Sequence, residues 1–160
     1  MIIFELMVDS IKRGGYLSFS SRNRLFNIVS GNNYTTMEAD SGTLVSLINE
    51  MVQYSSIERI SELEPVDIQR QGSNVAHPKT HIDVSTRYQY SPGELIRLLE
   101  PFALRPIGCQ AIHIHGVPLG FARNNKGIHG ALADYLESLS EGNLSFIPFA
   151  SSFVLSFVKI

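Results

Sequence analysis

The sequence has little of what several common classes of protein need. It contains one cysteine, Cys109, among 160 residues, which excludes an intrachain disulfide framework and leaves no CxxC or CxxH pair for a structural zinc site. No uninterrupted apolar run approaches the roughly 20 residues that cross a bilayer. The apolar segment 1–8 is interrupted by Glu5 and has no basic leader of the signal-peptide kind. We therefore predict no membrane partner and a reducing, cytoplasmic setting.

An excess of positive charge is also missing. The chain has 13 Lys and Arg against 15 Asp and Glu, a net charge of −2. Residues 1–80 carry seven basic and nine acidic side chains, and residues 81–160 carry six of each. Because broad counterion release needs many phosphate contacts, a nucleic-acid partner would have to be held by a few placed cations, stacking aromatic rings or recognition of a strand end.

Residues 1–61 predict a βββα unit. The segments MIIFELMV, GGYLSFS and RLFNIVSG are rich in aromatic and β-branched residues and predict three strands. After Gly42, apolar residues recur at helical spacing and predict a half-buried helix; they are Leu44, Leu47, Ile48, Met51 and Val52. Residues 62–80 lose this periodicity and gain Pro, Gly, Ser and Asn, which predicts a linker to a second unit at residues 81–160.

The second unit predicts strands around one helix, so that the fold class is α+β. Strands are predicted for HIDVSTRYQY, ELIRLLE, CQAIHIHG, NLSFIPFA and FVLSFVKI. ELIRLLE is read as a strand because Ser91-Pro92-Gly93 before it and Pro101 after it leave only about two helical turns. The helix carries apolar residues on one face, which predicts packing on a sheet; they are Ile128, Ala131, Leu132, Tyr135, Leu136 and Leu139.

Short motifs in residues 81–160 follow one another in a distinctive order. They are Arg87-Tyr88-x-Tyr90, Glu100-Pro101, Ala111-Ile112-x-Ile114, a Leu119-Gly120 hairpin return, the helix, and Ile147-Pro148-Phe149. In this order they resemble a HIRAN domain, a small module that bacterial and phage proteins also carry. The resemblance implies a small β-barrel with a packed helix and non-catalytic binding of single-stranded DNA or of a DNA 3′ end.

The resemblance also implies which residues contact DNA. Arg87 would hold a phosphate, Tyr88 would stack on a base, and Phe149 would cover the end nucleotide, with Tyr90 on the same strand as Tyr88. Arg123 and Lys126 flank the start of the helix, where two cations and the helix N-terminus favour a phosphate. For Tyr88, Tyr90 and Phe149, packing in the core is the alternative interpretation.

One departure from the family pattern favours a second function. The family's Asn-Pro-x-Asp-x-x-Ala segment is replaced by FALRPIGCQA, with Gly108 at the aspartate position. The alternative is therefore a protein-interaction or assembly module, with a protein partner or a homodimer, that keeps the barrel and has lost the DNA pocket. It predicts an exposed apolar patch around Phe102, Leu104 and Ile107.

Catalytic and metal chemistry have weak support in the sequence. His113 and His115 form an HxH pair that His81 and His129 could join as metal ligands, but no carboxylate follows at a suitable interval. There is no phosphate-binding glycine loop, GxSxG elbow, HExxH motif or evident pair of carboxylates. We predict no metal, no cofactor and no catalytic residue, and a small metal-dependent enzyme is the least favoured alternative.

Overall fold

The computed structural model describes residues 2–31, 33–66, 89–117 and 119–160. In chain order its helices and strands are α1 Ile2–Asp9, β1 Tyr16–Arg22, α2 Phe26–Ser30, α3 Asn33–Asp40, α4 Leu44–Gln53, α5 Pro92–Leu99, β2 Leu104–Ile114, α6 Leu119–Asn124, α7 Lys126–Ser140 and β3 Ala150–Lys159. Short 3₁₀ helices span Ile60–Glu62, Glu100–Phe102 and Leu144–Phe149. The protein thus mixes helix and strand, as predicted. Within these ranges no helix combines the length and apolar character needed to cross a membrane.

The strands form one antiparallel sheet in the order β1-β3-β2. β3 lies in the centre and pairs with β1 from Tyr16↔Val158 to Arg22↔Ser152. On its other side it pairs with β2, with a bulge between Pro106 and Gly108. In the described part of the chain this sheet is open, with β1 and β2 as its two edges, so the predicted closed barrel is wrong.

One face of the sheet carries the hydrophobic core. Phe153, Leu155 and Phe157 of β3 are fully buried, because alternate residues of a strand point to the same face. The helical layer covers them with side chains that are equally buried, among them Leu25, Leu47 and Leu99. Burying each such side chain stabilises the fold by about 1.5–3 kcal/mol.

The sheet combines strands from the two ends of the sequence. β1 belongs to the predicted first unit and β3 to the second, and the whole of β1 pairs with β3. The predicted linker at residues 62–80 lies mostly outside the described residues, and the division into domains stays a prediction. The sheet and its core nevertheless contain side chains from both sides of that linker.

The predicted βββα order of the first unit is wrong. GGYLSFS does contain β1 and the predicted helix is α4, but MIIFELMV contains α1 and RLFNIVSG contains α2. The end of α1 is held by Lys159, whose Nζ donates to the carbonyls of Val8 at 2.9 Å and Ile11 at 3.1 Å. α2 ends at Gly31, which has a left-handed φ of 57°, a common helix terminator.

ELIRLLE is a helix rather than a strand, because the residues before it form a capping box. The Ser91 hydroxyl accepts from the Glu94 N–H at 3.1 Å, and the Glu94 carboxylate accepts from the Ser91 N–H at 2.8 Å. Pro92 occupies the first helical position, where its missing N–H has no intrahelical partner to lose. Serine, proline and glycine, read in the sequence as a turn, therefore begin α5.

One further predicted strand and the predicted hairpin return are also helical. NLSFIPFA contains the 3₁₀ helix Leu144–Phe149, in which Pro148 has no N–H to donate to a neighbouring strand. The predicted Leu119-Gly120 hairpin return is instead the start of α6. Most of HIDVSTRYQY lies outside the described residues. The strands predicted around AIHI and FVLSFVKI and the long helix are confirmed as β2, β3 and α7.

α7 packs through only part of the predicted face. Leu132 and Leu136 are half-buried and lie so close to Gly116 that a Cβ there would be 2.7 Å from each. Ile128 and Tyr135, predicted to be buried, are each 60% exposed. Gly116 thus allows α7 to approach the chain after β2 closely. The apolar side chains of Ile128 and Tyr135 remain exposed to solvent.

Candidate functional site

The sheet leaves its second face uncovered by the described residues, and we call this surface the open face. It consists of Tyr16, Ser18, Ser20 and Arg22 of β1, Ser152, Val154, Ser156 and Val158 of β3, and Arg105, Gln110 and Ile112 of β2. All four β1 side chains are exposed, Tyr16 by 73%. A hydrogen bond of 2.8 Å joins the hydroxyls of Ser18 and Ser156 across the two strands. The open face is therefore small, polar and flat.

The open face is positively charged in a chain that is net negative. The three described strands contain no aspartate or glutamate, although the chain has 15 acidic residues. Arg105 lies in the row Tyr16–Val158–Arg105, and Arg22 lies in the row of Ser152. At about 3.4 Å per residue, the two rows are roughly 20 Å apart along β3. An exposed tyrosine and a cation mark one end, and a second cation marks the other.

A cleft of about 160 Å³ lies at the Arg22 end of the sheet. We call it the histidine cleft, and it is lined by His113, Ile114, His115, His129, Ala133 and Ser151. His113 has a left-handed φ of 55° and its side chain is 77% exposed. Its N–H donates to a Glu137 carboxylate oxygen at 2.6 Å. The strained residue at the end of β2 therefore directs the chain from the sheet towards α7.

Three aromatic rings are stacked beside this cleft. The ring centroids of Phe26 and His115 are 4.6 Å apart, and those of His115 and His129 are 5.1 Å apart, with interplanar angles of 33° and 30°. Burial lowers the pKa of His115, and the nearby His129 and His113 lower it further. The Nδ1 atoms of His115 and His129 are buried and make no hydrogen bond within the described residues. The His115 imidazole is therefore favoured in the neutral form.

Only some of the predicted DNA-contact residues lie in the described part of the chain. Arg87 and Tyr88 lie outside the described residues. Tyr90 is half-buried beside Asn23, where its backbone bonds to Arg22 and Arg24. The structure therefore joins Tyr90 to the Arg22 end of the sheet.

Among the remaining predicted residues, Phe149 bonds to a residue of the histidine cleft, and Lys126 lies on the helix that carries another. Phe149 is 46% exposed, and its carbonyl accepts from the His115 N–H at 3.0 Å. Lys126 is exposed at the first turn of α7, the helix that carries His129, and Arg123 belongs to α6. Phe149 is thus connected to α7 through His115 and His129. Tyr90 instead bonds to the backbone at the end of β1.

The structure bears on the metal site and on the apolar assembly patch that were alternatives in the sequence. In the described part of the chain, no group of three or more His, Cys, Asp or Glu side chains could hold a metal ion. Cys109 faces the core, where burial raises its thiol pKa. Of the predicted assembly patch, Leu104 is buried and Phe102 half-buried, so the patch is wrong there, while Ile107 is 45% exposed.

A buried ion cluster that no sequence pattern predicts joins the helices. Arg24 donates to both carboxylate oxygens of Glu38, at 2.8 and 2.7 Å, and to Glu94 at 2.7 Å. Burial opposes the charge of Glu38, but hydrogen bonds from Arg24, Thr43 and Asn27 outweigh it and lower its pKa. This Arg24 cluster is a structural device, since every acidic oxygen in it already faces a donor.

A second buried carboxylate, Glu50, lies beside the start of α5. It is fully buried and accepts from the Ser91 hydroxyl at 2.6 Å, the Gly93 N–H at 3.0 Å and the Tyr54 hydroxyl at 3.3 Å. Burial raises the pKa of Glu50 by more than these hydrogen bonds lower it. Shifted carboxyl groups often mark active sites, but this one has no exposed surface, so it anchors α4 to α5.

Glu50→Gln is expected to reduce the loss of stability with rising pH. Because its folded pKa is raised, Glu50 contributes stability that is complete below its ordinary pKa of 4.5 and lost as pH rises through the folded value. The glutamine variant has no such titration, so its unfolding free energy should improve relative to wild type as pH rises. Urea denaturation from about pH 4 to pH 7 measures this difference. A difference that is constant with pH would contradict the buried, titrating carboxyl group.

Comparison with known proteins adds no relative. No family model, no curated protein and no solved structure matches this chain. The class of protein is therefore defined by its own features: a mixed helix and strand protein with an acid-free, half-covered antiparallel sheet and a histidine cleft at one end of it.

Proposed function

We propose that this protein binds single-stranded DNA, or the end of a DNA strand, along the open face and without catalysing a reaction. The observation that supports this most is the composition of that face, which has an exposed tyrosine, two arginines and no carboxylate. Phosphates would meet cations there without facing a nearby negative charge. The resemblance of residues 81–160 to a HIRAN domain points to the same ligand.

Each part of the open face has a separate role in this proposal. Tyr16 offers a ring on which a base can stack, an interaction worth about 1–3 kcal/mol and tolerant of sequence. Arg22 and Arg105 hold phosphates with planar guanidinium groups. The serines between them donate hydrogen bonds to phosphate or sugar oxygens. Affinity then comes from a few placed groups, which agrees with a net charge of −2.

The end of the strand would lie near Phe149. This half-exposed ring immediately precedes β3, at the end of the sheet where Arg22 lies. Its backbone contact with His115 places it beside the histidine cleft. A base that leaves the open face past Arg22 would therefore meet an aromatic ring, and Lys126 at the start of α7 would add a cation.

Tyr16→Ala is expected to weaken single-strand binding by about fivefold or more, because one stacking interaction is lost. Arg22→Gln and Arg105→Gln should each weaken it and lower the slope of log affinity against log salt by about one. Fluorescence anisotropy with a short labelled oligodeoxynucleotide at several salt concentrations measures all three.

Matched variants separate the open face from general charge and aromatic surface. Tyr135 is an exposed tyrosine on α7, and Arg59 is an exposed arginine next to the buried Ile60 of the core. Tyr135→Ala and Arg59→Gln should leave the affinity unchanged, and Tyr16→Phe should retain it. Equal losses from all variants, or no binding by wild type, would refute the proposal. In the latter case, self-association by light scattering, abolished by Tyr135→Asp, would favour the assembly alternative.

A further inference from the structure

We propose that the histidine cleft is a binding site for a phosphate group, held by the imidazoles of His115 and His129 and accompanied by uptake of a proton. This rests on the proposed function only for the source of the phosphate, which is either the terminal phosphate of a nucleic-acid strand or the free ion. The site itself depends on residues outside the open face.

The chemistry of the cleft favours an oxyanion over a metal ion. Its polar lining consists of three imidazoles and the Ser151 hydroxyl. No set of three ligands is arranged for a metal among the described residues. The Nδ1 atoms of His115 and His129 are buried, so the donors to the ligand would be the Nε2 N–H groups of the imidazoles. The Ser151 hydroxyl, which bonds to the His113 carbonyl at 3.4 Å, would have to turn to add a third. A phosphate accepts from all of these groups.

The charges around the cleft suit a ligand that brings negative charge. α7 supplies His129 and Glu137, the end of β2 supplies His113, α2 supplies Phe26, and β3 supplies Ser151. Glu137 already accepts from the His113 N–H and lies 3.9 Å from the His113 Nδ1. It therefore offsets His113 and leaves His115 and His129 without an acidic neighbour among these groups.

The start of α7 adds to the same preference. α7 is 15 residues long and its N-cap, Asn125, makes no side-chain cap hydrogen bond. The positive end of the helix dipole consequently lies one turn from His129. Negative charge bound near His129 would therefore be stabilised by this end of the helix.

Proton uptake follows from the neighbours of His115. In the free protein, burial and the neighbouring His129 and His113 lower the pKa of His115 and favour its neutral ring. A bound anion favours the protonated ring, so binding and protonation are linked. The affinity for the anion should therefore increase as pH falls.

The test follows the ring signals of the histidines by NMR during titration with inorganic phosphate and, in parallel, with sulfate, which keeps its charge across this range. We expect saturable shifts at His115 and His129, with affinity about fivefold or more higher near pH 6 than near pH 7.5. His115→Gln and His129→Gln should each lower the affinity about tenfold or more. Lys12→Gln, at the opposite end of the sheet, should not change it.

Two further arms identify the source of the phosphate. Oligodeoxynucleotides with a 5′ phosphate, with a 3′ phosphate and with neither are compared. Tighter binding of one phosphorylated form that is lost in His115→Gln assigns the cleft to a strand end. Equal binding of all forms, with saturable inorganic phosphate, assigns it to the free ion. Non-saturating shifts in the folded wild-type protein, or affinity independent of pH, overturn the proposal whatever the result at the open face.

Discussion

Arg24→Met is expected to lower the free energy of unfolding by about 3–5 kcal/mol at neutral pH, which is the usual cost of removing one partner from a buried ion pair. The change leaves Glu38 and Glu94 without their shared cation, and their side chains are only 9% and 8% exposed. Methionine fills much of the volume, so the loss is mainly electrostatic. Urea denaturation followed by circular dichroism measures it.

The loss of stability caused by Arg24→Met is expected to become smaller as pH falls. In wild type the pKa of Glu38 is lowered, so its contribution is present above the ordinary carboxyl pKa and lost as pH falls through the folded value. Without Arg24, burial would raise that pKa instead. The gap between the variant and wild type should therefore narrow from about pH 7 to about pH 5.

Arg59→Met is the matched control. Arg59 also donates to a glutamate, Glu62, at 2.7 Å, but the arginine side chain is 78% exposed. Water screens such a pair, so its removal should change stability little. Similar losses for the two variants would show that the Arg24 cluster is not buried as described.

Gly93→Ala is expected to destabilise the protein by about 1–3 kcal/mol, the range for overpacking a filled core. A Cβ at this position would lie 2.6 Å from a Glu50 carboxylate oxygen and 2.8 Å from its Cδ. The carboxylate cannot move away without losing its bonds to Ser91 and to the Gly93 N–H. Thermal and urea denaturation measure the loss.

Gly127→Ala is expected to have the opposite effect on stability, although Gly127 has the same position in its helix as Gly93. Gly127 is the second residue of α7, as Gly93 is of α5, and a Cβ there meets no atom within 4 Å. Alanine in a helix should then stabilise slightly. Combining Gly93→Ala with Glu50→Ala should cost less than the sum of the single changes, since the clash disappears. Strict additivity would contradict the proposed contact.

The periodic parts of the fold could be predicted from the sequence. Segments rich in aromatic and β-branched residues predict β1, β2 and β3, and helical spacing predicts α4 and α7. The errors arose where one local pattern serves two structures. Ser91, Pro92 and Gly93 suit both a turn and a helix start, and the outcome depends on Glu94, which completes the capping box. The apolar segment 1–8 suits a buried strand or helix, and packing of Phe4 on Phe19 accompanies the helix.

The candidate site was harder to predict because it depends on which surfaces are covered. The alternation of Tyr16, Ser18, Ser20 and Arg22 was visible, but not that the helices would pack on the other side. The Arg24 cluster joins residues 14 and 70 positions apart, for which sequence spacing carries no signal. The HxH pair is visible in the sequence, whereas the stacking of His115 on Phe26 follows only from the tertiary structure.

The central position of β3 determines when the sheet can form during synthesis. β1 and β2 do not pair with each other, and every strand-to-strand hydrogen bond of the described sheet includes residues 150–159. A growing chain that has passed β1 must therefore wait for more than a hundred further residues before that strand has a partner. Sheets dominated by such distant pairings fold slowly, and their unpaired strands are exposed to aggregation meanwhile. The exposed side chains of Ser18, Ser20 and Arg22 keep this unpaired strand polar on one side.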